Sequence, residues 1–165
     1  MSSQRRKKQA NAFHRVHPLL DAVNLEILRQ LQLDPRLTAA ALARKLRMSR
    51  PAITERVQRL RDAGVITGFR LGLDPRALGL PVTAYVRIRP GPGQLSKVAE
   101  LAERTAAVVE CHRITGEDCF LLKIHVAEVA GIEAILDRFL AHGQTTTSIV
   151  QSSPVPLRDL PLPRE

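Results

Sequence analysis

The sequence predicts an α+β protein, an N-terminal winged helix-turn-helix joined by a β connector to a C-terminal ferredoxin-like βαββαβ domain. Three observations carry the prediction. Apolar residues recur at helical spacing in three successive segments between residues 19 and 64. From residue 80 the pattern changes to alternating strands interleaved with two amphipathic segments. All the excess positive charge lies in the first part of the chain: residues 1–18 carry +5, residues 19–67 carry +4, and residues 68–165 hold eleven bases and eleven acids. A basic front joined to an electrically balanced rear predicts a polyanion-binding module attached to a module with another task.

Residues 1–18 read as a basic flexible arm, without apolar periodicity. The helix-turn-helix follows over residues 19–67. In "PLLDAVNLEILRQLQLDPR", Leu25, Ile27, Leu28 and Leu31 form a stripe, Asp21 is the N-cap with Asn24 at the third helical position, and Asp34-Pro35 ends the helix. Thr38 caps the alanine-rich "AAALARKL", whose core contacts are Leu42 and Leu46. After "RMS", Ser49 caps a third helix that tolerates Pro51 in its first turn. Its buried stripe is Ile53, Val57 and Leu60, which leaves Arg50, Pro51, Thr54, Glu55, Gln58, Arg59 and Arg61 facing outward. Gly64 ends that helix. "VITGFRLGLD" alternates around Gly68 and reads as a short two-stranded wing or connector, with the connector over residues 68–79.

Residues 80–153 form the ferredoxin-like domain: a strand in "LPVTAYVRIRP", a helix in "GQLSKVAELAERT" with Leu95, Val98, Leu101 and Ala102 on one side, and strands "AAVVECHRI" and "CFLLKIHVA" around the turn "TGED". "GIEAILDRFLA" is the second helix and "TTTSIVQS" the last strand. In that hairpin Cys119 faces Ile114 and Cys111 faces Leu122, so a disulfide would be out of register and both thiols are expected to be reduced. Residues 154–165 form a Pro-rich tail, either lying along a partner subunit or untethered.

Composition narrows the function classes. Aromatic content is 3% and Trp is absent, which argues against base-stacking platforms for single strands or RNA. The five histidines show no metal-ligand spacing, and no serine elbow, phosphate-cradling glycine loop or redox CxxC occurs, so neither an enzyme nor a metal cofactor is expected. No run of about 18 apolar residues spans a bilayer and no signal-peptide core follows the basic start, so a cytoplasmic protein is expected.

Three motifs in order then match a known pattern: "LLDAVNLEILRQLQLDPR", "MSRPAITERVQRLRDAGVI" and "LDPRALGLP". Over roughly residues 19–155 the sequence resembles the Lrp/AsnC group of feast/famine transcriptional regulators. The resemblance implies a DNA-binding winged helix joined to an amino-acid-sensing domain, with homodimers assembling into tetramers, octamers or larger discs. Two departures stand out. Asn24 occupies a position where the family usually has Asp, and "TGEDCFLL" places Cys119 where a carboxylate usually stands, with Asp118 one residue earlier.

On this basis double-stranded DNA is the expected partner. Arg50, Thr54 and Gln58 lie nearest base edges, while Arg44, Lys45, Arg56, Arg59 and Arg61 contact phosphates or neighbouring carboxylates, with Ser49, Pro51 and Glu55 completing the surface. For Arg56 an intramolecular pair with Glu26 or Asp62 is an equal alternative. The expected effector, an amino acid, falls to Thr115, Gly116, Glu117, Asp118 and Cys119 with Thr145, Thr147 and Ser148, which offer backbone N–H groups, carboxylates and hydroxyls to a zwitterion. Gly116 is also expected to take a positive φ in the turn.

Overall fold

A computed structural model of the chain describes residues 17–163, so residues 1–16 of the basic arm lie outside it. The chain divides into two compact units: the residues up to Arg70 together with those from Leu157 onward, and Leu71–Pro156.

The first unit is built from α1 (Ala22–Leu33), α2 (Ala39–Leu46) and α3 (Arg50–Asp62). Each starts at the expected polar residue. The side chains of Asp21, Thr38 and Ser49 accept from the backbone N–H groups of Asn24, Ala41 and Ala52 at 2.7, 3.2 and 3.3 Å, satisfying donors that have no partner within the helix. Ile27, Leu31, Leu42, Ile53 and Leu60 meet in one core. α3 closes in a Schellman arrangement: Gly64 takes φ 70°, its N–H donates to the Arg61 carbonyl, and the Val65 N–H donates to the Leu60 carbonyl, each at 2.9 Å.

α2 closes differently. Its last turn ends on Arg47 at φ 53°, the one positive-φ residue other than glycine among the described residues. A Cβ in this region costs about 1 kcal/mol or more. Arg47→Gly is therefore expected to stabilise the helical unit by about 1 kcal/mol in a denaturant titration. An unchanged or lowered midpoint would mean that the arginine side chain offsets the strain.

The segment after α3 is the connector, without the strands its alternation suggested. No strand occurs between Gly64 and Pro81. Gly68 (φ 152°) interrupts the run, and Pro75 to Gly79 turn back on themselves. The alternating Phe69, Leu71 and Leu73 find no neighbouring strand to pair with and remain exposed at 46, 83 and 60%. Phe69 lies instead against the Arg61 guanidinium, whose carbon is 5.3 Å from the ring centroid.

The second unit runs β1 (Val82–Pro90), α4 (Leu95–Arg104), β2 (Val108–Arg113), β3 (Phe120–Val126), α5 (Ala130–Leu140) and β4 (Gly143–Ile149). The strands form one antiparallel sheet in the order β2-β3-β1-β4, the arrangement the βαββαβ pattern predicts. Both helices cover one face: Val98, Ala102, Ile132 and Phe139 pack on Ala84, Val86, Ile88, Phe120, Leu122 and Ile124. β3 alternates strictly between buried and half-buried residues. Leu95, expected on the buried side of α4, is 40% exposed because it stands at the first residue of the helix.

The hairpin has the predicted register, with Cys111 opposite Leu122 and the Ile114 N–H donating to the Cys119 carbonyl at 2.9 Å. Both cysteines are free, and Gly116 has φ 115°. β4 begins at Gly143, before the threonine run. From Leu157 the tail groups with the helical unit, where Gln32 Nε2 donates to the Leu160 carbonyl at 2.9 Å.

Candidate DNA-binding face and effector region

On the helical unit the outward face of α3 carries Arg50, Pro51, Thr54, Glu55, Gln58 and Arg59, all exposed. They follow from the 3.6-residue period: once Ile53 and Leu60 are fully buried, these positions point away from the core. The face is held only by local contacts. Thr54 Oγ1 donates to the Arg50 carbonyl at 3.0 Å, Gln58 Nε2 donates to Asp62 Oδ1 at 2.7 Å, and Arg59 stands 3.9 Å from Glu55. Exposed contacts of this kind are worth a few tenths of a kcal/mol each, so they leave these side chains free to exchange partners. Among the described residues Arg44 and Arg50 take part in no ion pair. Ser49, at the start of the face, is occupied as the helix cap.

Two expected phosphate contacts are engaged inside the domain. Arg56 sits on the border of the buried stripe and turns back to the start of α1, where its Nη1 donates to Asp21 Oδ2 at 2.8 Å and to Asn24 Oδ1 at 3.1 Å. The intramolecular alternative was therefore right in kind, with the wrong partners. Glu26 is held by Arg29 and Gln30, and Asp62 by Gln58. Asn24 is the hub that sequence reasoning missed: 5% exposed, it also donates through Nδ2 to the Leu19 carbonyl at 2.6 Å instead of capping its own helix. The available signal was a polar Asp21–Asn24 pair one turn apart, opposite an arginine at a half-buried position. Lys45 Nζ likewise donates to Gln30 Oε1 at 2.8 Å, linking α2 to α1.

The hydrogen bonds from Arg56 and from the Asn24 N–H hold the Asp21 carboxyl below its ordinary value of 3.8. A depressed carboxyl stabilises the fold above its unfolded-state value and ceases to do so as pH falls through the folded one. The helical unit is thus expected to lose stability below about pH 4. Asp21→Asn is expected to shrink that acid-side slope without removing it, since Glu26 is lowered in the same way by Gln30 and Arg29. Urea midpoints between pH 3 and 7 provide the check; an unchanged slope in Asp21→Asn would refute the assignment.

In the sheet unit the turn Thr115 to Cys119 reaches the face of the sheet that no helix covers. Asp118 lies 3.7 Å from Arg87 and 3.8 Å from Arg89, and Glu117 pairs with Arg89. Sequence reasoning missed both arginines, although the alternation in "VRIRP" places them opposite the buried Ile88. The threonine run does not converge as expected. Thr145 and Thr147 stand beside Ile88 and Val86 on the helix-covered face, whereas Ser148 stands beside Tyr85 on the open one. A strand alternates its faces, so Ser148 and its Thr147 neighbour cannot serve one site within a protomer. The Thr147 hydroxyl is buried and has no hydrogen-bond partner, the one such side-chain atom among the described residues. His125 shares a 3.0 Å hydrogen bond with Thr83; burial pushes its imidazole below the ordinary value.

Two family models match the chain, a winged helix-turn-helix DNA-binding domain over residues 20–67 and the Lrp/AsnC ligand binding domain over residues 83–160. The Bacillus subtilis transcriptional regulator LrpC is 31% identical over 133 residues, covering 81% of this chain and 92% of that protein. The chain belongs to the Lrp/AsnC family. It is a helix-turn-helix transcriptional regulator, as are LrpC and the Mycobacterium tuberculosis regulator LrpA, and not an enzyme. The solved structure of Bacillus subtilis LrpC superimposes with a TM-score of 0.77 at 30% identity, over 81% of this chain and 96% of that one. A Neisseria meningitidis transcriptional regulator in complex with L-Met gives a TM-score of 0.78 at 25% identity, over 86 and 96%. Among the described residues of this Lrp/AsnC protein no cluster of His, Cys, Asp or Glu suits a metal ion, and no helix is long and apolar enough to cross a membrane.

Proposed function

We propose that this regulator binds double-stranded operator DNA through α3, with Arg50, Thr54 and Gln58 toward base edges and Arg44, Arg59 and Arg61 toward phosphates, and that an amino acid modulates the binding. The observation that carries the reading is the outward face of α3: a capped, core-anchored helix whose polar side chains are bound only by weak local contacts. Arg50 occupies the first helical position, where side chains of a recognition helix come closest to base edges, and its planar fork matches the O6/N7 edge of guanine. Arg56 and Lys45 contribute chiefly by bracing the domain.

For the effector, the turn supplies both signs of charge. The guanidinium groups of Arg87 and Arg89 meet the carboxylates of Glu117 and Asp118, so a zwitterion can exchange with either half of the cluster. The L-Met complex of the Neisseria regulator supports the amino-acid class. Ser148, on the same open face, remains a candidate contact, whereas the Thr147 hydroxyl is buried on the other face and Thr145 would act only from a neighbouring subunit. That uncovered face also supports self-association into dimers and larger assemblies, since it carries the exposed Tyr85 with no helix against it.

The test is binding of the purified protein to DNA from its own upstream region against shuffled competitor, at several salt concentrations and with a panel of amino acids. Saturable binding that survives competitor and shifts with one amino acid is the expected result. Binding that never exceeds the competitor would overturn the assignment for that operator.

A further inference from the structure

A second feature of the sheet unit lies apart from the turn. Between α4 and the edge strand β2 runs a cleft of about 310 Å³, at the lower end of the roughly 300–1,000 Å³ range of small-molecule sites. Its origin is legible in the residues. Ala99, Ala102 and Glu103 fall on one face of α4, and the two alanines leave the space that larger side chains would fill. β2 is irregular between Val108 and Glu110, then presents Cys111 and Arg113 on one side, opposite the buried Leu122 and Phe120.

The walls differ in chemistry from the floor. The floor is apolar, formed by Ala99, Ala102, Val108 and Phe120. The charged residues of the lining are Glu103, Glu110 and Arg113; among the described residues Glu103 and Arg113 take part in no ion pair, whereas Glu110 is held by Lys123 at 3.1 Å. The neighbouring acids are also engaged: Glu100 by Arg104, and Glu117 and Asp118 by Arg87 and Arg89. Arg113 lies over the Phe120 ring at 5.8 Å, which holds its guanidinium at the cleft. Glu103 acts on the Cys111 thiol, which burial first and that carboxylate second push above its ordinary value.

The geometry points to a second small-molecule site in this cleft, one that takes a zwitterionic amino acid: its carboxylate on Arg113, its ammonium on Glu103 and an apolar side chain over Ala99, Ala102 and Phe120. Arginine binds a carboxylate through a planar fork. The ligand class rests on the amino-acid reading of this regulator; the location does not, because no residue of the cleft belongs to the turn Thr115 to Cys119.

Cys111 provides the readout, and Cys119 provides an internal reporter for the turn. Trypsin cuts after Arg104, Arg113 and Lys123, so the two thiols fall on different peptides. The full chain is treated with iodoacetamide at pH 8, with and without millimolar L-methionine or L-leucine, and alkylation of each peptide is followed by mass spectrometry. At least fivefold slower alkylation of Cys111 is expected with one of the two. Ala99→Leu, which fills the cleft, and Arg113→Gln, which removes the carboxylate partner at an exposed position, are each expected to abolish the slowing without changing thermal unfolding by more than a few degrees.

Protection that persists in either variant overturns the proposal. So does protection that follows protein concentration in the absence of amino acid, which would mean that a second copy covers the cleft. If an amino acid shifts DNA binding and slows only Cys119, the cleft proposal fails and the effector reading stands. If Cys111 is protected in the wild type and exposed in both variants while DNA binding never responds, the cleft stands and amino-acid control of DNA binding fails.

Discussion

Gly143→Val is expected to destabilise the sheet unit by about 3 kcal/mol, the upper part of the usual range for overpacking, which lowers its melting temperature by roughly 15 °C in a domain of this size. Gly143 opens β4 directly opposite Pro90 at the end of β1. A Cβ there would overlap the Arg89 carbonyl oxygen and lie 2.8 Å from Pro90 Cα. Those atoms are backbone and cannot swing aside, so the strands must separate at the point where the Gly91 N–H donates to the His142 carbonyl at 2.9 Å. Gly72→Ala is the control, because a Cβ at Gly72 meets nothing within 4 Å and its φ lies outside the left-handed region; its effect is expected to stay within about 0.5 kcal/mol. Calorimetry on the three proteins decides it. Equal melting of Gly143→Val and wild type would show that β1 and β4 do not meet in this register.

The second large effect is a split between two arginines. Arg50→Ala is expected to weaken operator binding by about 1–3 kcal/mol, roughly 5- to 150-fold, with little change on shuffled DNA, because in the proposed docking it removes a bidentate partner of one base. Arg44→Ala is expected to weaken both DNAs alike and to reduce the slope of log affinity against log salt by about one. The difference follows from placement: Arg50 is the first residue of α3, while Arg44 lies in the last turn of α2, across the helix-turn-helix bend. Competition titrations between about 50 and 200 mM salt separate the two behaviours. If Arg50→Ala weakened both DNAs equally, α3 would not be reading sequence through that residue.

The helices and their ends were legible because they depend on local rules. Asp21, Thr38, Ser49 and Gly64 each act within four residues of themselves, so caps and stops follow from the chain alone. The four strands and their hairpin register were legible for a related reason, since alternation fixes which side each residue faces. What escaped depends on partners distant in sequence. Alternation in residues 65–74 indicated a short two-stranded wing or connector, but a strand needs a neighbour to pair with and the described residues supply none there. Arg56 and Asp21 are 35 residues apart, and nothing local tells an inward-turned arginine from one facing phosphate. Grouping the threonine run by composition overlooked the pleat, which sends the adjacent Thr147 and Ser148 to opposite faces.

The path of the tail bears on how the protein is made. The core of the helical unit is complete by Ile66, and its contacts are short-range in sequence, the kind that form quickly as a chain emerges. Leu160, which accepts the hydrogen bond from Gln32, is synthesised 128 residues later, after the whole intervening sheet unit. A nascent chain therefore carries a folded helix-turn-helix in which Gln32 waits for its partner until the segment around Leu160 has left the ribosome. A chain interrupted before Leu157 would keep the folded three-helix core and lack the one hydrogen bond that Leu160 makes to α1.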